Sequence, residues 1–509
     1  MEFDRVTDIL VVGYGFAGGV AALEAHDLGA EVLLIEKMPH GGGISICSGG
    51  GCRTAKSAAS AFSYLRKTCN GTTPDRVLEA FADGMTRIDD WMAAYAATSG
   101  AKLLVVEYPG NYPFPGFEDL GFTMYGELPN FDQFSYYPHA RGLRGGARHF
   151  KVIEDNIAAR GIEVRLGCPA RRLLTDGQGR VAGLEAEEGG RVLRIGARKG
   201  VVLACGGFEA AEDLKAQFLP GPIMPAAFRG STGDGIRMAQ KVGAALWHMW
   251  NVHGTYGFRH PDPDYPFGLR LARLPDWNPA LERRHDMRMA WIVVDGDGQR
   301  YMDEFPPYMQ DTGHRPMDFY DTGKGGYPRI PSYLLFDEAG RALYPMAIPS
   351  FNDTEARAGW SADNLAEVET GLLKRADTIE GLARALGLPE AGLAASVAAW
   401  NRSCKEGRDA AFGRIPESMM PLATPPYYGA PVWPIVSNTQ GGPVHDEHWR
   451  VLDAFGAPIP GLYEAGELGG IFGFLYLAGG NLAECYIGAK RATAHALGLE
   501  ASTRIAATR

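Results

Sequence analysis

The chain has 509 residues, with 60 acidic and 50 basic side chains for a formal net charge of −10, and it includes 67 glycines. That glycine share is nearly twice the roughly 7 % of ordinary chains, but the glycines show no triplet period and 10 % of the residues are aromatic, which excludes collagen-like and disordered chains. An acidic balance without a Lys/Arg stripe argues against nucleic acid as a partner, and no apolar run approaches the roughly 18 residues that cross a bilayer.

A charged start leading directly into a strand does not read as a signal peptide. Seven scattered cysteines without a CxxC pair argue against disulfides, zinc and attached haem, so no metal is expected and a reducing cytoplasm fits. The length predicts two domains, or one large domain carrying an insertion.

In chain order, Asp8-Ile-Leu-Val-Val12 predicts a buried strand that ends at Gly13-Tyr-Gly15-Phe-Ala-Gly18. A helical pattern runs from there to Gly29, and Glu31-Val-Leu-Leu-Ile35 predicts a second strand ending at Glu36. This is βαβ order. Helices are expected from Thr73 to Ala97, then an aromatic, proline-rich loop from Tyr108 to Tyr137. Strands and hairpins follow over 162–205 and end in the buried run Gly200-Val-Val-Leu-Ala204 before Gly206-Gly207.

From Trp247 to Pro431 the composition shifts towards proline and aromatics, with one alternating strand at Trp291–Asp295. Residues 247–431 therefore read as an inserted cap or substrate domain, and 1–246 with 432–509 as the domain that holds the cofactor. Strand-then-glycine order returns at Gly461-Leu-Tyr-Glu-Ala-Gly466-Glu467, and a final helix is expected from Asn481 to Leu497.

In the Gly13, Gly15, Gly18 signature the first glycine permits a tight turn. The second admits a pyrophosphate, and the third lets the helix close on the strand. The helix N-terminus adds positive potential for phosphate. Glu36 stands where a carboxylate accepts ribose hydroxyls and repels a 2′-phosphate. A second loop, Gly41-Gly42-Gly43-Ile-Ser45-Ile-Cys-Ser48-Gly49-Gly50-Gly51, is too poor in side chains for a core. With Gly206-Gly207 and Gly466-Glu467 it offers several backbone approaches along one long ligand, which favours FAD over NAD.

These motifs, with Val202–Phe208, Gly233-Asp234-Gly235, Gln299–Glu304 and Gly461–Gly480, resemble the FAD-dependent oxidoreductase family that contains fumarate reductase flavoproteins, urocanate reductase and 3-ketosteroid dehydrogenases. The resemblance implies an α/β fold: a Rossmann-like FAD-binding domain of the glutathione-reductase type with an inserted α+β cap. It implies non-covalent FAD held by Gly13, Gly15, Phe16, Ala17, Gly18, Glu36, Lys37, Gly42, Gly43, Ser45, Ser48, Gly49, Gly50, Gly51, Ala204, Gly206, Gly207, Asp234, Glu467, Asn481 and Leu482.

The carboxylate-reducing members carry a proton-donating arginine where this chain has Tyr308. Their substrate-clamping arginine is absent from Tyr476-Leu-Ala-Gly-Gly480-Asn481, and Asn438 stands in place of a histidine. The ketosteroid dehydrogenases are more similar, with "NE-x-x-PY" against Asp303-Glu304-Phe-Pro-Pro-Tyr308, and a tyrosine four residues before a glycine against Tyr476 and Gly480. Ala478 departs from the serine of their Δ4 type.

The resemblance implies a desaturase acting beside a ring ketone, a 3-ketosteroid or a smaller cyclic oxo compound such as an oxocyclohexane carboxylate. Tyr476 and the Gly480 N–H would hold the carbonyl, and Tyr308 would take the α-proton, by way of a lowered pKa or a relay partner among Tyr108, Tyr112, Tyr125, Tyr136 and Tyr137. The electron acceptor, whether O2, a quinone or a carrier protein, is left open. An ene-reductase of the fumarate or urocanate type is the alternative, and a flavin-binding protein without turnover a third reading. Arg270 and Arg273 are candidates for a substrate carboxylate, beside the plainer reading of solvated arginines. His248, His253 and His260 read as structural or solvent-facing.

Overall fold

A computed structural model describes residues 2–140, 144–272, 274–277, 288–348 and 359–499. The expected βαβ unit forms as β1 (Arg5–Val12), α1 (Phe16–Asp27) and β2 (Val32–Ile35), with all four residues of β2 buried. Helix α1 is hidden along most of its length, from Phe16 to Leu23. That burial explains its unbroken run of apolar and small residues, because a helix covered on all sides has no polar face to declare.

The main sheet runs Arg450–Leu452, Pro458–Glu464, Arg191–Leu203, β1, β2 and Glu163–Arg165 in spatial order. Its central strands are parallel and in register at their ends. Val12 pairs with Ile35 on one side and Leu203 on the other, and Leu203 pairs with Glu464. The chain therefore leaves the sheet at Gly13, Glu36, Ala204 and Ala465 along one edge, which places four loops around a single crevice.

A second sheet, mainly antiparallel, is built from Ile292–Val294, Ser332–Asp337, Tyr427–Thr439, Val252–Arg259, Gly268–Leu271 and Ala347–Ile348 in spatial order. Alternation sets its two faces. Trp291, Val293, Leu334 and Phe336 enter an aromatic core with Tyr256, Phe258, Leu269 and Leu271, whereas Ile292, Val294 and Leu335 pack with Leu382, Leu393 and Trp400. The last three belong to the helices Ile379–Leu386 and Glu390–Glu406. The strand Tyr427–Thr439 crosses the expected boundary at 431/432, and Met224–Pro225 also pairs with it. We retain 247–431 as the proposed cap on the grounds of this second sheet.

The helices expected over 73–97 form as Asp75–Met85 and Ile88–Ser99. One expectation changes. The stretch 108–137 is not wholly loop, because Leu120–Glu127 is a strand that pairs with Lys102–Glu107 and Cys52–Ala55. The final helix forms as Gly480–Ala496. All seven cysteines are free. Among the described residues there is no cluster able to hold a metal ion, and no helix is long and apolar enough to cross a membrane.

Candidate active site

Two adjoining cavities lie at the ends of the parallel strands. The first, about 770 Å³, is lined by Gly13, Gly15, Phe16, Ala17, Glu36, Lys37, Gly43, Ser45, Ala204, Gly206, Asp234 and Glu467, twelve of the expected cofactor residues. Gly13 has φ +103°, a conformation that glycine alone adopts readily. A Cβ on Gly18 would overlap the Gly13 carbonyl oxygen, so that glycine sets how closely α1 approaches the turn. A Cβ on Gly15 would find only Ser45 Oγ at 3.7 Å and Gly42 O at 3.9 Å. The protein itself thus leaves room above Gly15, as a cradle for pyrophosphate requires.

Glu36 is buried and fixed by the Tyr14 N–H at 2.7 Å and the Met38 N–H at 2.8 Å, leaving lone pairs on both oxygens. Burial outweighs these bonds and raises its pKa. Lys37 donates to Asp234 Oδ2 and to Thr232 Oγ1, each at 2.6 Å, and closes one wall. Gly18, Gly42 and Gly207 line neither cavity. They act in packing instead: Gly42 N–H bonds the Tyr14 carbonyl, and Gly207 lies against Thr439, Glu209 and Glu467. Phe228 and Ser231, which no motif marks, also line the first cavity. The nearby Gly233-Asp234-Gly235 was their only local signal.

The second cavity, about 1160 Å³, shares Ile44, Ser45, Glu467 and Cys485 with the first. Ser48, Gly49, Gly50, Gly51, Asn481 and Leu482 line it, and so do Tyr308, Tyr476 and Arg270. The 49–51 loop is held from behind by His149, whose ring nitrogens contact Gly50 O at 3.0 Å and Tyr486 Oη at 2.6 Å. Glu467 and Glu209 both approach the Thr439 N–H, at 3.0 and 2.8 Å. Burial first, and Glu209 second, hold the Glu467 carboxyl well above its ordinary range.

Tyr476 Oη accepts the Asn481 N–H at 3.2 Å, at the start of the last helix, so its own O–H is left to donate into the cavity. Gly480 differs from the expectation. It does not line the cavity, its N–H bonds the Leu477 carbonyl at 2.7 Å, and its missing side chain makes room for the Phe472 ring.

Tyr308 follows Pro306-Pro307 and begins a short helix, Met309–Thr312, with its Oη bonded to Gln310 Oε1 at 3.2 Å. Burial, then Asp276, Tyr476 and Asp311, pushes its pKa well up, opposite to a lowering, while Arg270 opposes them. Of Tyr108, Tyr112, Tyr125, Tyr136 and Tyr137, Tyr112 has its ring against Tyr308, with centroids 6.2 Å apart. Its hydroxyl donates to Asp311 Oδ2 at 2.6 Å. Tyr125 and Tyr137 bond elsewhere, to Met92 O and Glu154, and Tyr136 is exposed.

His253 is not solvent-facing. It is buried, lines the cavity, and lies tilted at 48° against the Tyr476 ring with centroids 4.3 Å apart and Nδ1 3.7 Å from Asp311 Oδ1. Burial lowers its pKa, so the ring is neutral. His248 is buried against Gly470 O at 2.9 Å, a structural role, and His260 lies by Tyr265 outside the cavity. Arg270 enters the cavity, whereas Arg273 lies outside the described residues.

A family model for an FAD binding domain matches residues 8–482. The 3-oxosteroid 1-dehydrogenase of Mycobacterium tuberculosis is 28 % identical, with 91 % of this chain and 92 % of that protein covered. The fumarate reductase (cytochrome) of Shewanella frigidimarina is 27 % identical, over 94 % of this chain and 74 % of that one. Among solved structures, the 3-ketosteroid Δ1-dehydrogenase of Sterolibacterium denitrificans in complex with 1,4-androstadiene-3,17-dione superposes with a TM-score of 0.79. The two are 26 % identical, over 97 % of this chain and 100 % of that one.

Proposed function

The chain belongs to the FAD binding domain family, and from that premise we propose that it is a ketone dehydrogenase that introduces a C=C bond α,β to a ring carbonyl. The observation that carries this reading is a pair of buried tyrosines, Tyr308 and Tyr476, lining one cavity that opens onto the FAD cradle. The similarity to 3-oxosteroid 1-dehydrogenase supports the reaction class.

FAD, when bound, supplies the acceptor for the hydride that leaves the β-carbon. Tyr476 holds the ketone oxygen. Its lone pair is engaged by the Asn481 N–H, so its O–H is oriented towards substrate and stabilises developing enolate charge. Tyr308 rests protonated, and its small ionised fraction receives the α-proton at Oη. His253 and Ile44 close the walls, and burial of both tyrosines keeps competing water from the enolate. With the Gly480 N–H turned onto Leu477, Tyr476 is the principal donor to the carbonyl.

Tyr308→Phe is the direct test of the proton step. The variant is expected to retain bound FAD and lose at least about 100-fold in the rate at which a cyclic ketone reduces it, the scale of general-base catalysis. Reduction at the wild-type rate would remove Tyr308 from the chemistry.

A further inference from the structure

Among the described residues, Arg300 and Arg414, buried away from the cavity, are neutralised by acids, whereas the equally buried Arg53 has no ion pair and lies 4.4 Å over the Phe122 ring. Arg300 pairs with Glu304 at 2.6 Å and Asp409 at 2.8 Å, and Arg414 pairs with Glu304 at 3.3 Å while donating to three carbonyls. Arg270 is different. On the strand Gly268–Leu271, Leu269 and Leu271 enter the aromatic core, and alternation turns Arg270 to the opposite face, into the second cavity. Among the described residues it has no ion pair, and its Nε is buried without a hydrogen-bond partner; unlike Arg53, it faces a cavity.

The groups around the guanidinium supply no counter-charge. His253 is neutral, Tyr308 holds its proton, and Gln310, Ser437 and Asn438 are uncharged. The one carboxyl lining this cavity, Glu467, is engaged with Glu209 and Thr439 where the two cavities meet. A half-buried guanidinium facing a cavity without an anion lacks a compensating charge, and its planar fork fits a carboxylate with two parallel hydrogen bonds.

We propose that Arg270 is a carboxylate-binding residue and that the substrate of this site is a cyclic oxo acid, its ketone on Tyr476 and its carboxylate on Arg270. The proposal rests on the dehydrogenase reading for the ketone and on Arg270 alone for the charge. Arg270, Ser437, Asn438 and Gln310 form a polar wall in a lining that is otherwise mostly apolar, which suits a ring that carries one charged group.

The test uses FAD-loaded wild type, R270Q and R270K, checked for equal flavin content and melting temperature. Each is titrated anaerobically with 4-oxocyclohexane-1-carboxylate and with its methyl ester. Binding is read by calorimetry, and flavin reduction by absorbance. R270Q is expected to weaken acid binding about 100-fold, with R270K recovering part of the loss, while ester binding moves less than about threefold.

Acid binding within about threefold of wild type in R270Q overturns the proposal. An equal loss for acid and ester also overturns it, because Arg270 would then act only on Tyr308. If acid binding depends on Arg270 but no ketone reduces the flavin, the anion site stands and the dehydrogenase reading falls. If R270Q oxidises the acid as wild type does, the reverse holds.

Discussion

Gly15 and Gly18 belong to one motif but answer to different constraints. Gly18 is required by the protein, because a methyl group there strikes the Gly13 carbonyl, whereas at Gly15 the nearest atom is 3.7 Å away. Gly15→Ala is therefore expected to fold with the melting temperature of the apoprotein and to bind FAD weakly. Gly18→Ala is expected to lose stability even without FAD, and thermal denaturation of the two apo variants separates the cases. Tyr308 carries a second residue-scale prediction. Its pKa is pushed up, so the ionised base accumulates only as pH rises, and kcat/KM should climb towards the alkaline end without a plateau near neutrality. A flat profile between pH 7 and 10, near an ordinary tyrosine pKa of about 10, would contradict that form of the base.

At the scale of elements, the site depends on how segments are tied. Glu304 accepts the Val293 N–H at 3.0 Å and pairs with both Arg300 and Arg414, so one buried carboxylate joins a sheet strand to the segment that carries Tyr308. Glu304→Gln is expected to cost about 3–5 kcal/mol in urea denaturation, since it leaves the buried Arg414 without its carboxylate and Arg300 with Asp409 alone. The βαβ unit was legible because its strand, turn and helix signals are local and consecutive. The strand Leu120–Glu127 was not, since its glycines and aromatics break the alternation and its partners, Lys102–Glu107 and Cys52–Ala55, lie elsewhere in the chain.

At the scale of the molecule, the second cavity is assembled from stretches near 45–51, 253, 270, 308 and 476–482, which only the packing of two sheets brings together. Motifs announced the tyrosines, but a histidine or an arginine within an ordinary strand gives no sign of which face it will take until the register is known. That is why His253 reads as structural or solvent-facing, and Arg270 as one of two alternatives. The loop after Glu107 fastens the assembly. Tyr108 and Asn111 bond Asp276 at 2.5 and 2.7 Å, and Asn111 also accepts the Ala478 N–H at 2.9 Å.

The central claim is oxidation of a ring ketone at its α,β bond, and anaerobic mixing of the FAD-loaded protein with cyclic ketones tests it most directly. The account predicts that flavin absorbance bleaches in a single turnover and that one equivalent of α,β-unsaturated ketone appears, with both changes lost in Tyr308→Phe. Flavin that stays oxidised with every cyclic ketone, yet is reoxidised by enones once chemically reduced, would contradict it and make the chain an ene-reductase.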